Sequence, residues 1–255
     1  MSKHHPSGAA LTTRQKIGAA LIRYGTRIAY RGKKASTSFT YVGSVQRILE
    51  NDKIYISGTG RAGTTFLIQL FTRLGLETGF GSNGQKSKPG HIVYYETARA
   101  GYEKDIFDPF GPQIVKSPYL CDHVDEVLAK GISIGHVFIP VRSFNEAAES
   151  RRHVQLETTG TETAETSVAG GLWDASDAQD QIDVLKKKLA NLVEALVRND
   201  IPITFLQFPR FAKDPDYLYE RINFLIPNMT KERFIEEFSK EVQPELIHDF
   251  SGKPE

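Results

Sequence analysis

Cysteine, tryptophan and methionine are scarce in this chain of 255 residues, which contains one Cys, one Trp and two Met. The single Cys121 excludes a disulfide framework within the chain and is typical of a reducing compartment. No apolar run reaches the ~18–20 residues that a membrane-spanning helix requires. The amino terminus also lacks the uninterrupted apolar stretch of a secretory signal. We therefore expect a soluble, cytoplasmic protein without a membrane anchor.

Acidic residues are missing from the first 49 positions, although the net charge of the whole chain is only +1. Residues 1–49, with nine Lys or Arg, form a basic arm, and residues 50–255 are predicted to form a single domain. Within the arm, residues 12–34 have the spacing of an amphipathic helix. Such a helix can pack on its own domain, bind a polyanion, lie on an anionic membrane surface or belong to a cleaved transit peptide. Packing is the interpretation that we favour.

The strongest local signal lies in residues 53–76, where a short β-rich run passes through a glycine turn into an apolar pattern of helical period. The turn reads Gly58-Thr59-Gly60-Arg61-Ala62-Gly63-Thr64-Thr65. A strand that becomes a helix through such a turn directs backbone N–H groups and the positive helix end toward one point, which suits a phosphate. The spacing matches the nucleotide-binding loop G-x-x-x-x-G-K-[ST], but Thr64 replaces its lysine. An ordinary glycine turn is the alternative.

Strands and helices alternate along the rest of the chain. Strands are predicted over residues 53–57, 77–80, 113–118, 132–141 and 202–208. Helices are predicted over residues 119–130 and 177–199, from residue 143 to about His153, after Asp214, and after a cap at Thr230. This alternation predicts an α/β fold with a central parallel sheet and helices on both faces. Residues 155–180 are polar and lack periodicity, and they are predicted to form a mobile lid that docks through Trp173.

The run Arg61-Ala62-Gly63-Thr64-Thr65 before an apolar helix resembles the 5′-phosphosulfate loop of sulfotransferases that use 3′-phosphoadenosine 5′-phosphosulfate (PAPS). Arg142 after a long strand, with Ser150 eight residues later, resembles the segment of the same family that holds the 3′-phosphate. An ion pair between Arg142 and Glu146 is the alternative for that arginine. The resemblance covers most of residues 53–226 and implies the family's P-loop sulfotransferase fold. The cofactor contacts that it implies are Gly60, Arg61, Ala62, Gly63, Thr64, Thr65, Arg142 and Ser150.

The catalytic residues implied by the resemblance are Arg61, Lys116 and Glu96. Lys116-Ser117-Pro118 resembles the K-x-P segment of tyrosylprotein-type enzymes, whereas cytosolic phenol and steroid enzymes have K-T-H, whose His is the base. Glu96 resembles the catalytic glutamate of tyrosylprotein and heparan-type enzymes, and a charge in a first helical turn is its alternative interpretation. Arg61 and Lys116 would stabilise developing negative charge, and Glu96 would accept the proton of the acceptor. His123 is the next candidate for the base.

Three functions follow from these observations. The favoured one is transfer of a sulfuryl group from PAPS to a hydroxyl or amine of a small-molecule or glycan acceptor, which releases adenosine 3′,5′-bisphosphate. It requires no metal, and we expect no nucleic acid partner. The alternatives are an ATP-dependent small-molecule kinase and a non-catalytic phosphate-binding module on the same fold. The sequence identifies neither the acceptor nor the oligomeric state.

Overall fold

The computed structural model describes residues 52–81, 92–93, 101–163 and 168–244, with the backbone alone at 92–93 and at 178. The basic arm, the helix predicted over residues 12–34 and Glu96 lie outside the described residues. All described residues belong to the unit Arg47–Glu255. None of the helices in the described ranges is long and apolar enough to cross a membrane.

The elements of the described chain alternate as predicted. The strands are β1 (Lys53–Ile56), β2 (Phe80–Gly81), β3 (Ile92–Val93), β4 (Ile114–Lys116), β5 (Ile134–Val141) and β6 (Ile203–Gln207). The helices are α1 (Thr64–Arg73), α2 (Leu120–Ala129), α3 (Phe144–Thr159), α4 (Ala178–Arg198), α5 (Pro215–Ile222) and α6 (Lys231–Glu241). Short 3₁₀ turns occupy Arg210–Ala212 and Asn223–Leu225.

A parallel sheet of four strands, in the order β4-β1-β5-β6, forms the centre of the unit. The predicted α/β class with a parallel central sheet is therefore confirmed. β2 and β3 form a separate parallel pair. The strand predicted over residues 77–80 is observed only from Phe80 onward, because Gly79 adopts a φ of 72° that interrupts an extended run.

Side chains alternate between the two faces of the sheet and bury one apolar cluster on each. Ile54 and Ile56 of β1 pack with α1, α5 and α6, whereas Tyr55 points to the opposite face and packs with α2 and α4. β5 divides in the same way, with Phe138 on the first face and Val137 on the second. Helices therefore cover both faces, as the long apolar strands indicate.

Most predicted helix starts coincide with observed caps. The side chain of Asp177 accepts hydrogen bonds from the first turn of α4, and Thr230 does the same for α6. Asp214 caps α5, whose first residue is a proline. These local signals required no knowledge of the tertiary fold.

The predicted end of α3 near His153 is wrong, since the helix continues to Thr159 and ends at Gly160 with a φ of 74°. Its buried face consists of Ala147, Ala148, Ser150, Arg151 and Gln155. Because most of this face beyond Ala148 is polar, the apolar periodicity that predicts a helix disappears after the second turn.

The carboxyl ends of β1 and β5 form the switch point of the sheet. From β1 the chain proceeds to β4 on one side, and from β5 it proceeds to β6 on the other. In open α/β sheets the crevice at such a point is where ligands bind. The glycine turn after β1 and Arg142 after β5 lie at this crevice.

Candidate functional site

The glycine turn after β1 forms a loop at the amino terminus of α1, with a backbone geometry that suits an anion. Four of its residues have positive φ, namely Gly58 (131°), Gly60 (69°), Arg61 (53°) and Gly63 (78°). Gly63 is the N-cap of α1, and no side chain caps this helix. The first backbone N–H groups of a helix have no intrahelical acceptor, and they carry the positive end of the helix dipole. The loop therefore offers N–H donors to a ligand in the adjoining cavity.

That cavity has a volume of about 500 Å³, and residues of the loop line it together with the ends of β4 and β5. A volume of this size is within the range of ~300–1,000 Å³ typical of small-molecule sites. Four cations of the described residues line it, namely Arg61, Lys116, Arg142 and Arg151. The carboxylates that line it in the described ranges are Glu103 and Glu241. The cavity thus has an excess of positive charge suited to an anionic ligand.

The structure brings together the predicted phosphate contacts. Arg61 donates a hydrogen bond from Nε to Oγ of Ser150 at 3.0 Å. Arg142 is only 5% exposed, and its Nη1 donates to the Arg61 carbonyl at 3.4 Å. Its Nε also donates to Glu146 at 2.8 Å, so the ion pair considered as the alternative exists as well. Arg142 both pairs with Glu146 and lines the cavity, and the two interpretations are compatible.

Lys116 at the end of β4 is 4% exposed and donates to the Gly101 carbonyl and, at 2.8 Å, to Glu103 Oε1. Burial lowers the pKa of Lys116, the charge of Glu103 opposes this shift, and the charge of Arg61 adds to it. The carboxylate of Glu103 therefore favours the charged form of Lys116, against the effects of burial and of Arg61.

Glu103 was missed by the sequence analysis. It lies in an irregular segment that has no periodicity, and its position follows from a long-range contact, because Lys104 N donates to the Lys116 carbonyl at 3.1 Å. No signal in one sequence reveals that contact. Glu96, the predicted base, lies outside the described residues, so its assignment stays a prediction. His123, the reserve candidate, is paired with Glu126 on α2 and does not line the cavity.

Arg151 was also missed, because an arginine on a helix is usually a surface charge. It is 6% exposed, and its terminal nitrogens donate to the carbonyls of Thr59 at 2.7 Å and Gly171 at 2.6 Å. Its guanidinium carbon lies 5.4 Å from the centre of the Trp173 ring. Burial, with a smaller contribution from the charge of Arg61, lowers the pKa of Arg151 to about 10.

The predicted lid over residues 155–180 begins later than expected, since residues 155–159 belong to α3. Residues 168–173 line the cavity. Buried Gln155 accepts from Leu172 N, and buried Gln181 both accepts from Trp173 N and donates to its carbonyl. Trp173 thus docks on the domain as expected, and the mobility of the segment stays a prediction.

Within the described ranges, no group of three or more His, Cys, Asp or Glu is arranged to hold a metal ion. Comparisons of the chain with protein-family models, curated proteins and solved structures find no match. The resemblance to sulfotransferases therefore depends on the motifs and on the geometry of this cavity.

Proposed function

We propose that this protein is a sulfotransferase that moves a sulfuryl group from PAPS to a hydroxyl or amine acceptor. The observation that carries the proposal is the single cavity into which the Arg61 loop, Lys116, Arg142 and Ser150 all converge. These residues come from three separate segments of the chain, and the resemblance assigns all of them to the site of one cofactor. An ordinary glycine turn would not require the other three to be near it.

The order of the strands suggests how the ligands lie in the cavity. β4 and β6 are the two edges of the four-stranded sheet, so Lys116 and Phe208 lie on opposite sides of the loop after β1. The guanidinium of Arg142 lies 5.2 Å from the Phe208 ring, so the cation proposed to hold the 3′-phosphate and an aromatic surface lie at the same end. We place the nucleoside at this end, the phosphosulfate at the loop, and the acceptor beside Lys116 and Glu103.

The chemistry requires charge stabilisation and a proton acceptor. The acceptor atom forms a bond to sulfur while the bond between sulfur and the phosphate oxygen breaks, and the electron pair leaves with adenosine 3′,5′-bisphosphate. Arg61, Lys116 and the loop N–H groups would stabilise the charge on the departing oxygen. A carboxylate near Lys116 would take the proton that the acceptor loses. Glu103 lines this end of the cavity, and Glu96 is the candidate from the sequence.

The kinase alternative requires carboxylates that hold magnesium near Thr65. The neighbouring strand β4 instead ends in Lys116, which is a cation. This arrangement favours an anionic group at the loop that is neutralised by side chains.

A titration with nucleotides tests the proposal, and Trp173, the only tryptophan of the chain, provides a fluorescence signal from the cavity wall. Adenosine 3′,5′-bisphosphate should bind at least ~10-fold more tightly than 5′-AMP, since hydrogen bonds to a charged group contribute about 1.5–3 kcal/mol. Magnesium should have little effect. Equal affinity for the two nucleotides, or ATP binding that requires magnesium, would refute the sulfotransferase and favour the kinase.

A further inference from the structure

Arg151 differs from Lys116 and Arg142, the other buried cations compared with it in this cavity, in the groups that surround its charge. Lys116 is paired with Glu103 and Arg142 with Glu146. In the described part of the chain, no carboxylate lies within ion-pair distance of Arg151, whose partners are two carbonyls and the ring of Trp173. Its Nε is buried and has no hydrogen-bond partner among the described residues. The neighbouring Arg152 is half-buried and pairs with Glu149 in the ordinary way.

A buried guanidinium without a counter-ion is destabilising, because carbonyl dipoles replace only part of the hydration that the charge loses. The nearby charge of Arg61 increases this effect. An oxyanion in the cavity would offset the lost hydration of the Arg151 guanidinium. It would also weaken the repulsion between Arg151 and Arg61, because its negative charge would attract both side chains.

The two carbonyls that Arg151 holds belong to different walls of the cavity. Thr59 is in the loop after β1, and Gly171 is in the segment 168–173. The contact with the loop is close, since a Cβ on Gly60 would lie 2.7 Å from Nη2 of Arg151. The same side chain therefore fixes the backbone of the loop and that of the opposite wall.

We infer that Arg151 is the positioning residue of an oxyanion site. A sulfate- or phosphate-type group at the loop neutralises the charge of Arg151, and through Arg151 it connects the loop to residues 168–173. The inference rests on the anion site of the proposed function, but it does not depend on which nucleotide carries the anion. Arg151 acts through the Thr59 and Gly171 carbonyls and through its charge. The loop N–H groups and Arg61 supply the contacts to the anion.

Pyrophosphate is the probe for this inference, and the matched variants are Arg151→Met and Arg152→Met. Calorimetric titration should give a dissociation constant for pyrophosphate that is at least ~10-fold weaker in Arg151→Met, because the variant loses a nearby positive charge and the hydrogen bond that holds the loop. Arg152→Met should bind like the unmodified protein. Pyrophosphate should also raise the melting temperature of the unmodified protein more than sodium chloride at equal ionic strength. Unchanged pyrophosphate affinity in Arg151→Met would overturn the inference.

Hydrogen exchange on the unmodified protein provides a second test that does not depend on a folded variant. Pyrophosphate should slow exchange at the amides of residues 58–65 and also at those of residues 170–173. Protection of the loop alone would refute the connection through Arg151. Failure of the unmodified protein to bind pyrophosphate would refute this inference. The preference between adenosine 3′,5′-bisphosphate and 5′-AMP tests the proposed function independently of Arg151.

Discussion

Replacing Arg142 with methionine tests where the 3′-phosphate of the cofactor would bind. Arg142 follows β5, and its Nε donates a hydrogen bond to Oε2 of Glu146 at 2.8 Å. This contact orients the terminal nitrogens, of which Nη1 reaches the Arg61 carbonyl. Methionine keeps an unbranched apolar stem that can still pack against Phe208, and it removes the charge and every donor.

The magnitude follows from how many of these donors a phosphate could use. Hydrogen bonds to a charged group contribute about 1.5–3 kcal/mol, which corresponds to roughly 10–150-fold in affinity. Glu146 already neutralises part of the charge of Arg142, so we expect the lower part of this range. Arg142→Met should weaken binding of adenosine 3′,5′-bisphosphate by about 10–30-fold and leave 5′-AMP within about twofold.

The assay is a fluorescence titration of Trp173 with both nucleotides in the unmodified protein, Arg142→Met and Arg152→Met. Arg152 lies on α3, the helix that follows Arg142, and is outside the cavity lining, so its replacement controls for a general loss of positive charge. An equal loss for both nucleotides would mean that Arg142 supports the loop without contacting a 3′-phosphate. No loss for either nucleotide would place the 3′-phosphate elsewhere.

Three further changes test the base, the loop and one buried histidine. If Glu103 is the base, Glu103→Gln should reduce the rate of sulfuryl transfer by a factor of ~10²–10⁴ and leave nucleotide affinity within about twofold. If Glu96 is the base, Glu96→Gln should have the same effect. Normal turnover in either variant excludes that residue. Gly63→Ala should lower the free energy of unfolding by about 1–3 kcal/mol in urea, because its Cβ would lie 2.8 and 2.9 Å from two aromatic rings. Gly75→Ala, with a similar φ and open space, is the control, and an equal loss there would assign the effect to backbone strain. Burial lowers the pKa of His136 to about 4, below the value of 6.5 in the unfolded chain, so the unfolded state gains its proton first as the pH falls. Stability should decrease between pH 6.5 and pH 4 by at most about 3 kcal/mol, and His136→Gln should show less of this decrease in urea unfolding curves.

Much of the fold could be predicted because its signals are local. The strands around Ile56, Phe138 and Leu206 are apolar runs of the right length, and they are observed where expected. The caps at Asp177 and Thr230 are also local, since each side chain bonds to N–H groups two or three residues ahead. The loop was recognised by its glycine spacing, and the Arg142–Ser150 pair by its resemblance to the sulfotransferase segment, for the same reason. Each motif is one strand end and the first turns of the helix that follows.

The residues that sequence analysis missed depend on contacts across long stretches of chain. Arg151 and Arg152 are adjacent and chemically identical, yet one is buried beneath the loop and the other is a half-buried ion pair. Only the rotation of α3 about its axis distinguishes them, and the polar buried face of that helix hides its rotation. The position of Glu103 similarly depends on a backbone hydrogen bond of its neighbour, because Lys104 N donates to the carbonyl of Lys116 in β4, 12 residues further along the chain.

The pairing of Lys116 with Glu103 and of Arg142 with Glu146 has a consequence for how the cavity would bind its ligand. A cation held by a carboxylate is fixed before the ligand arrives, so little side-chain freedom is lost on binding. The same carboxylate cancels part of the charge, and such a pair attracts an anion less strongly than a lone cation does. Much of the net attraction would therefore come from the start of α1, which no side chain caps, and from Arg151, which no carboxylate of the described chain neutralises. In this arrangement the paired cations would offer fixed contacts to the anion, and Arg151 would contribute the charge that they lack while it holds the loop in place.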